Sequence, residues 1–161
     1  MSVVIRDAKH EDAVESCEVM RRSIVELCSA DHKDDPEILS KWLANKTPDI
    51  FRIWIARPRN NLLVATQCEH VVAVGAVTHD GEITLNYVSP DARFRGVSKA
   101  LVAALEDKAA ERGCTACKLS STETAHRFYL ACGYRETGRP NGRFGMDSGY
   151  PMSKSLKPGS E

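Results

Sequence analysis

Net charge is what this chain lacks first. Its 22 Lys and Arg are matched by 22 Asp and Glu over 161 residues. No global field therefore draws it to nucleic acid or to an anionic membrane, and any anion site has to be built locally. Long apolar runs are missing too, so no segment has the roughly 20 residues that a membrane-crossing helix needs. The start, Met1 to Arg6, reads as a strand and not as a secretory signal. Six cysteines are present, but metal-type partners for them are not. Cys114-Thr115-Ala116-Cys117 has no second pair and no His at ligand spacing, which argues against zinc. It also stands where a strand begins, whereas a redox pair needs a helix N-terminus. Most of the thiols fall in apolar patterns and read as small core hydrophobes, reduced, in a cytoplasmic protein. Repeats, low-complexity tracts and a linker are absent, so one domain over 1–161 is expected. At 42% apolar residues the chain is long enough to bury about two thirds of its unfolded surface.

Hydrophobic periodicity gives the order of elements. Residues 3–6 read as a strand. From His10 to about Ala30, apolar positions recur at Ala13, Cys17, Met20, Ile24 and Leu27, a helix with one buried face. Asp34-Asp35-Pro36-Glu37 starts a second helix, carrying Ile38, Leu39, Trp42 and Leu43. Thr47-Pro48-Asp49 starts a third over 48–56, with an N-cap, a first-turn proline and a first-turn acid; a strand over Phe51 to Ile55 is the rival reading. Strands follow at 62–67, 71–78 and 82–88, the last after an Asp80-Gly81 turn. A helix over 97–112 ends at Gly113. Residues 115–120 read as a strand. Ser120-x-x-Glu123 has the spacing of a capping box, predicting a helix from there to about Cys132. Strands at 134–137 and 150–156 bracket a loop from Gly138 to Gly149, and 157–161 read as a tail. The sum is an α/β chain with a mixed sheet and helices on both faces, in which a parallel crossover runs through the helix over 97–112.

The segment Arg93-Phe94-Arg95-Gly96-Val97-Ser98-Lys99 lies between a predicted strand and a predicted helix. A helix N-terminus offers N–H groups that have no intrahelical partner, at the positive end of its dipole. Gly96 permits close approach to the backbone, and Arg93, Arg95 and Lys99 add full charges. A di- or polyphosphate is the natural occupant. The spacing is neither that of a P-loop nor that of a three-glycine dinucleotide fingerprint.

This segment resembles the pyrophosphate loop of the GNAT superfamily of acyl-CoA N-acyltransferases, in the form Arg93-x-x-Gly96-x-Ser98, with Ser98 where a second glycine is commoner. Ala125-His126-Arg127-Phe128-Tyr129-Leu130-Ala131-Cys132-Gly133-Tyr134 is similar to the superfamily's later helix-to-strand segment. An Asn often found where Thr122 stands is absent. The resemblance covers about residues 60–156, and 1–60 correspond to the family's variable acceptor side. It implies a GNAT fold with acetyl-CoA as co-substrate and no metal. It also implies direct transfer of the acetyl group to a primary amine of a small molecule or peptide, in a ternary complex. Nucleic acid and membrane are not expected partners, and family members often dimerise. A non-catalytic acyl-CoA-binding module on the same fold, or a transferase using another acyl-CoA, are the alternatives.

Acetyl transfer has three needs: polarising the thioester carbonyl, deprotonating the amine and protonating the departing thiolate. The resemblance puts a backbone N–H near Tyr87 and Val88 on the first and the Tyr129 phenol on the third; a core aromatic is the bland alternative for Tyr129. Arg93, Phe94, Arg95, Gly96, Val97, Ser98 and Lys99, with Ser121 and Phe128, complete the expected cofactor side. Glu82 is a weak candidate for the base. Glu26, His32 and Trp42 are candidates for the acceptor side, and Asp31 lies beside them.

Overall fold

Two strands that are apolar on both faces dictate the layering. In this computed structural model, which describes residues 2–142, 144, 146 and 149–156, these are β2 (Asn60–Gln67) and β3 (His70–Thr78). With β1 (Val4–Asp7) and β4 (Ile83–Val88) they form an antiparallel sheet in the order β1-β2-β3-β4. Burial on both faces requires cover on both. On one side α1 (Ala13–Leu27) and α4 (Pro48–Ala56) pack Ala13, Met20 and Phe51 onto Leu62, Val64, Val74 and Ala76. On the other, α5 (Val97–Glu111) packs Val97, Leu101 and Leu105 onto Leu63, Ala65, Ala73 and Val77.

Local chemistry fixes the ends of these elements. Thr47 accepts the Ile50 N–H at 3.3 Å and Pro48 takes the first turn, so 48–56 is helical and the rival strand reading falls. Asp35 caps α3 (Pro36–Leu43) in the same way. The β2–β3 hairpin turns through Cys68 and Glu69, both at positive φ (52° and 65°), as the twist of a two-residue hairpin requires.

Three expectations are corrected. The helix expected over 10–30 is a 3-10 turn at His10–Asp12, then α1, then a break at Cys28 and a one-turn α2 (Ser29–His32). The sheet is not continuous: β5 (Ala116–Ser121), β7 (Tyr150–Ser155) and β6 (Arg135–Glu136) form a second antiparallel sheet. A parallel bridge between Glu82 and Lys118 joins it to the first, and among the described residues no further pairing links β4 to β5. The two strands part beyond that point, which opens a wedge. Lastly, the capping box at Ser120-x-x-Glu123 does not form. Ser120 is paired with Pro151 inside the ladder, so it cannot cap, and α6 starts only at His126 (His126–Ala131). Residues 157–161 and part of the 138–149 loop lie outside the described residues.

Candidate functional site

The wedge between β4 and β5 is the floor of a cavity of about 1040 Å³. Its walls come from the start of α5, from α6, and from the α1–α3 side. Arg93, Phe94, Gly96, Val97, Ser98 and Lys99 line one end, and Tyr87, Val88, Ser121, Phe128 and Tyr129 the middle. Trp42, Phe144 and Met146 line the far side.

The loop stands directly before α5, where the sequence puts it. Gly96 is the residue before the helix, at φ 76°, with open space where a Cβ would stand. No side chain caps α5 and no acid lies in its first turn. The N–H groups at its start therefore face the cavity with the positive end of a 15-residue helix behind them. Phe94, 92% exposed, also sits at positive φ (61°), a costly conformation for a bulky residue. The Arg93 guanidinium lies over its ring at 4.5 Å. Arg95 points elsewhere: it reaches Gln67 at 3.5 Å and does not line the cavity. The described lining residues include five Lys or Arg and no Asp or Glu. A chain without net charge thus carries a local positive field here.

The backbone of β4 has a definite phase. The Ser89 N–H donates to the Val72 carbonyl at 2.7 Å. Given the register Val74↔Tyr87 and Ala73↔Val88, Tyr87 turns its main-chain groups to β3 while Asn86 and Val88 turn theirs away. That side is the wedge. Of the two residues expected to supply a free N–H, Val88 can do so and Tyr87 is spent on the sheet. The Tyr87 side chain instead accepts a hydrogen bond from Trp42 Nε1 at 3.1 Å.

Tyr129 is 6% exposed and lines the cavity. Asn86 Nδ2 donates to its phenol oxygen at 2.9 Å. An oxygen that is already accepting leaves its own O–H free to donate. Burial pushes the phenol up to about 12, against the opposing pull of the Asn86 donor. Cys28, a thiol in the same cavity, is also pushed up to about 12 by burial, with the Asp31 charge adding to it. Desolvation disfavours both anions alike.

Other expected residues lie apart. Glu82 is exposed and precedes β4 at the closed end of the wedge, about 20 Å of strand from Val88 at some 3.3 Å per residue. Glu26 pairs with Arg22 at 2.9 Å, and Arg22 reaches on to Asp91 at 2.8 Å, tying α1 to the approach of the basic loop. His32 is fully buried, its Nε2 2.8 Å from the Ile24 carbonyl and its Nδ1 accepting the Asp34 N–H at 2.9 Å. Trp42 does line the far side, stacked with Phe144 at 6.5 Å. Asn86 was missed; an Asn in the middle of an apolar strand is against β propensity and was the available signal. Among the described residues no three His, Cys, Asp or Glu converge as a metal site would need, and no helix is long and apolar enough to cross a membrane.

Comparison with known proteins places this geometry. A family model described as an acetyltransferase (GNAT) domain matches residues 29–156. The PaiA N-acetyltransferase of Thermoplasma acidophilum, solved with coenzyme A, superposes with a TM-score of 0.84 at 20% identity, over 97% of this chain and 100% of that one. A GCN5-related N-acetyltransferase of Rhodopseudomonas palustris gives 0.86 at 24% identity, over 97% of each chain. The ribosomal-protein-S18-alanine N-acetyltransferase of Escherichia coli gives 0.68 at 18% identity, over 99% of this chain and 97% of that one. A search of curated proteins returned no match. The family model spans well over half of the chain: this protein belongs to the GNAT acetyltransferase family.

Proposed function

We propose that the protein transfers the acetyl group of acetyl-CoA directly to a primary amine, with both substrates bound at once. One observation carries the reading: a free phenol O–H, an unspent backbone N–H and an uncapped helix start all face one cavity. The α5 N-terminus, with Arg93 and Lys99, holds the pyrophosphate. Pantetheine lies along the free edge of β4, where the Val88 N–H donates to the thioester oxygen as negative charge grows on it. The neutral amine adds to the carbonyl carbon and the C–S bond breaks. Tyr129 gives its proton to the departing sulfur and regains one from solvent. Burial disfavours the phenolate and the thiolate alike, which keeps that transfer from being strongly one-sided. No carboxylate among the described lining residues is placed to take the proton of the amine, so it leaves through water. The acceptor enters past Trp42 and Phe144.

Calorimetry with acetyl-CoA tests the binding half. Wild type is expected to bind at micromolar concentration. Lys99→Ala is expected to bind about tenfold more weakly, the lower end of what a charge-assisted contact contributes. Tyr129→Phe is expected to bind as wild type does. No binding by wild type sinks the acetyl-CoA reading.

A further inference from the structure

The helix that carries Tyr129 cannot fix its own start. It has six residues, His126–Ala131, and the residue before it, Ala125, has no side chain able to cap. The Ala125 N–H is taken by Thr122 Oγ1 at 3.1 Å. The preceding N–H groups are satisfied from across the molecule. Asp31 Oδ1 accepts the Glu123 N–H at 2.6 Å, and Asp31 Oδ2 accepts the Thr124 N–H at 3.1 Å and the Thr124 hydroxyl at 2.5 Å. Asp31 is 4% exposed, and a carboxylate survives such burial only when donors surround it. The next link is direct, because the Tyr129 N–H donates to the Ala125 carbonyl at 3.0 Å, one residue beyond Thr124.

Asp31 is itself held. It lies in α2, where its N–H donates to the Cys28 carbonyl at 2.9 Å. The buried His32 ring meets the Ile24 carbonyl at 2.8 Å, which bolts α2 to the end of α1. Leu27 and Cys28, at that junction, line the cavity. A continuous chain of contacts therefore runs from the acceptor-side wall through Asp31 to the phenol.

We infer that Asp31 is the positioning residue for Tyr129: from α2 it holds the 122–125 turn that leads into α6 and so sets where the phenol stands in the cavity. This rests on the proposed role of Tyr129 as the proton donor, and the test separates the two. Asp31→Asn keeps the shape but turns an amide N–H toward one of the donors. Thr124→Val removes the hydroxyl alone and serves if Asp31→Asn does not fold, folding being judged by acetyl-CoA calorimetry. The first readout needs no acceptor. With 13Cζ-labelled tyrosine, and Tyr129→Phe to assign the resonance, the wild-type Tyr129 signal is expected not to titrate up to pH 11. In Asp31→Asn it is expected to shift and to titrate within that range. The second readout is a double-mutant cycle on thiol release from acetyl-CoA with the fastest of tyramine, spermidine and an alanyl peptide. Asp31→Asn is expected to lower kcat at least tenfold with acetyl-CoA affinity within twofold, but to lower it less than twofold further in the Tyr129→Phe background. An unmoved Tyr129 resonance, or an equal loss in both backgrounds, overturns the inference. Full turnover by Tyr129→Phe alone would instead overturn the proton-donor reading.

Discussion

At the scale of single residues, the site depends on which atom of a pair has a proton to give. Asn86 donates to Tyr129 and not the reverse, so the phenol hydrogen is not spent on Asn86 and stays available for the proposed transfer to the leaving group. Removing that hydrogen by Tyr129→Phe is expected to lower kcat by about 10²–10⁴-fold, the usual contribution of a placed general acid, with acetyl-CoA affinity unchanged. Asn86→Leu removes only the orienting donor, worth about 1 kcal/mol for a neutral hydrogen bond, and about a fivefold loss in kcat is expected. A loss in Asn86→Leu as large as that in Tyr129→Phe would mean that the amide itself touches substrate. The pH profile carries a sign. The phenol titrates only near about 12, so it stays protonated, and able to act as the acid, throughout the assay range. Rate is expected to rise as the amine loses its proton, with no fall up to pH 10. A descending limb between pH 8 and 10 in wild type would assign the acid to another group.

At the scale of elements, the question is which boundaries the chain fixes locally. The 3-10 turn that leads into α1 is held by Asp12, whose carboxylate accepts the Lys9 N–H at 2.7 Å and both arms of the Arg6 guanidinium at 2.8 and 2.9 Å. The Arg6 hydrogen bonds, helped by the Lys9 N–H and opposed by burial, hold the carboxyl below its ordinary range. Its folded value is thus lower than its unfolded one. The stability it contributes is fully present above about pH 4 and is lost as pH falls through the folded value. Asp12→Asn is expected to cost about 1–2 kcal/mol at pH 7, discounted because Arg6 is partly exposed, and less as the pH drops below 4. Urea midpoints between pH 2 and 7 check this, and a constant difference across that range would refute it. Thr47→Ala should cost about 1 kcal/mol through α4. The Thr47 cap was legible because donor and acceptor are three residues apart, and the Asp80-Gly81 turn and the loop ahead of α5 also stand where the sequence puts them. The capping box at Ser120 misled for the complementary reason. Its donors are met by Asp31, 92 and 93 residues away, and the ladder had already claimed Ser120. Side-chain candidates on the acceptor half divide on this point. Glu26 is taken by Arg22 at the i,i+4 helix spacing that a sequence does show, whereas the partner of His32, the Ile24 carbonyl, could not be read from spacing.

At the scale of the molecule, the two sheets are joined where Glu82 meets Lys118 and where the Lys118 N–H donates to the Gly81 carbonyl at 2.9 Å, and they separate beyond. The pattern of strands predicted a continuous mixed sheet because periodicity reports which residues alternate, not whether neighbouring strands stay within bonding distance. The parting leaves β4 with backbone groups that a folded sheet would normally satisfy, and it leaves the basic loop and Tyr129 on either side of one gap. A ligand that fills the gap bonds to the β4 edge and to the start of α5 together, replacing pairing that the fold omits. Binding should therefore stabilise the chain as a unit. At 100 times Kd, a ligand bound only by the folded state contributes about 2.7 kcal/mol, which for a chain of this size is a rise in melting temperature of about 5–10 °C. Coenzyme A is expected to produce that shift in wild type at a fixed concentration, and a clearly smaller one in Lys99→Ala at the same concentration. Amide hydrogen exchange should slow at Val88 and at the first residues of α5 and stay unchanged in β1, which lies at the opposite edge of the first sheet. A shift of equal size in Lys99→Ala, or protection spread evenly over both sheets, would place the ligand somewhere other than the wedge.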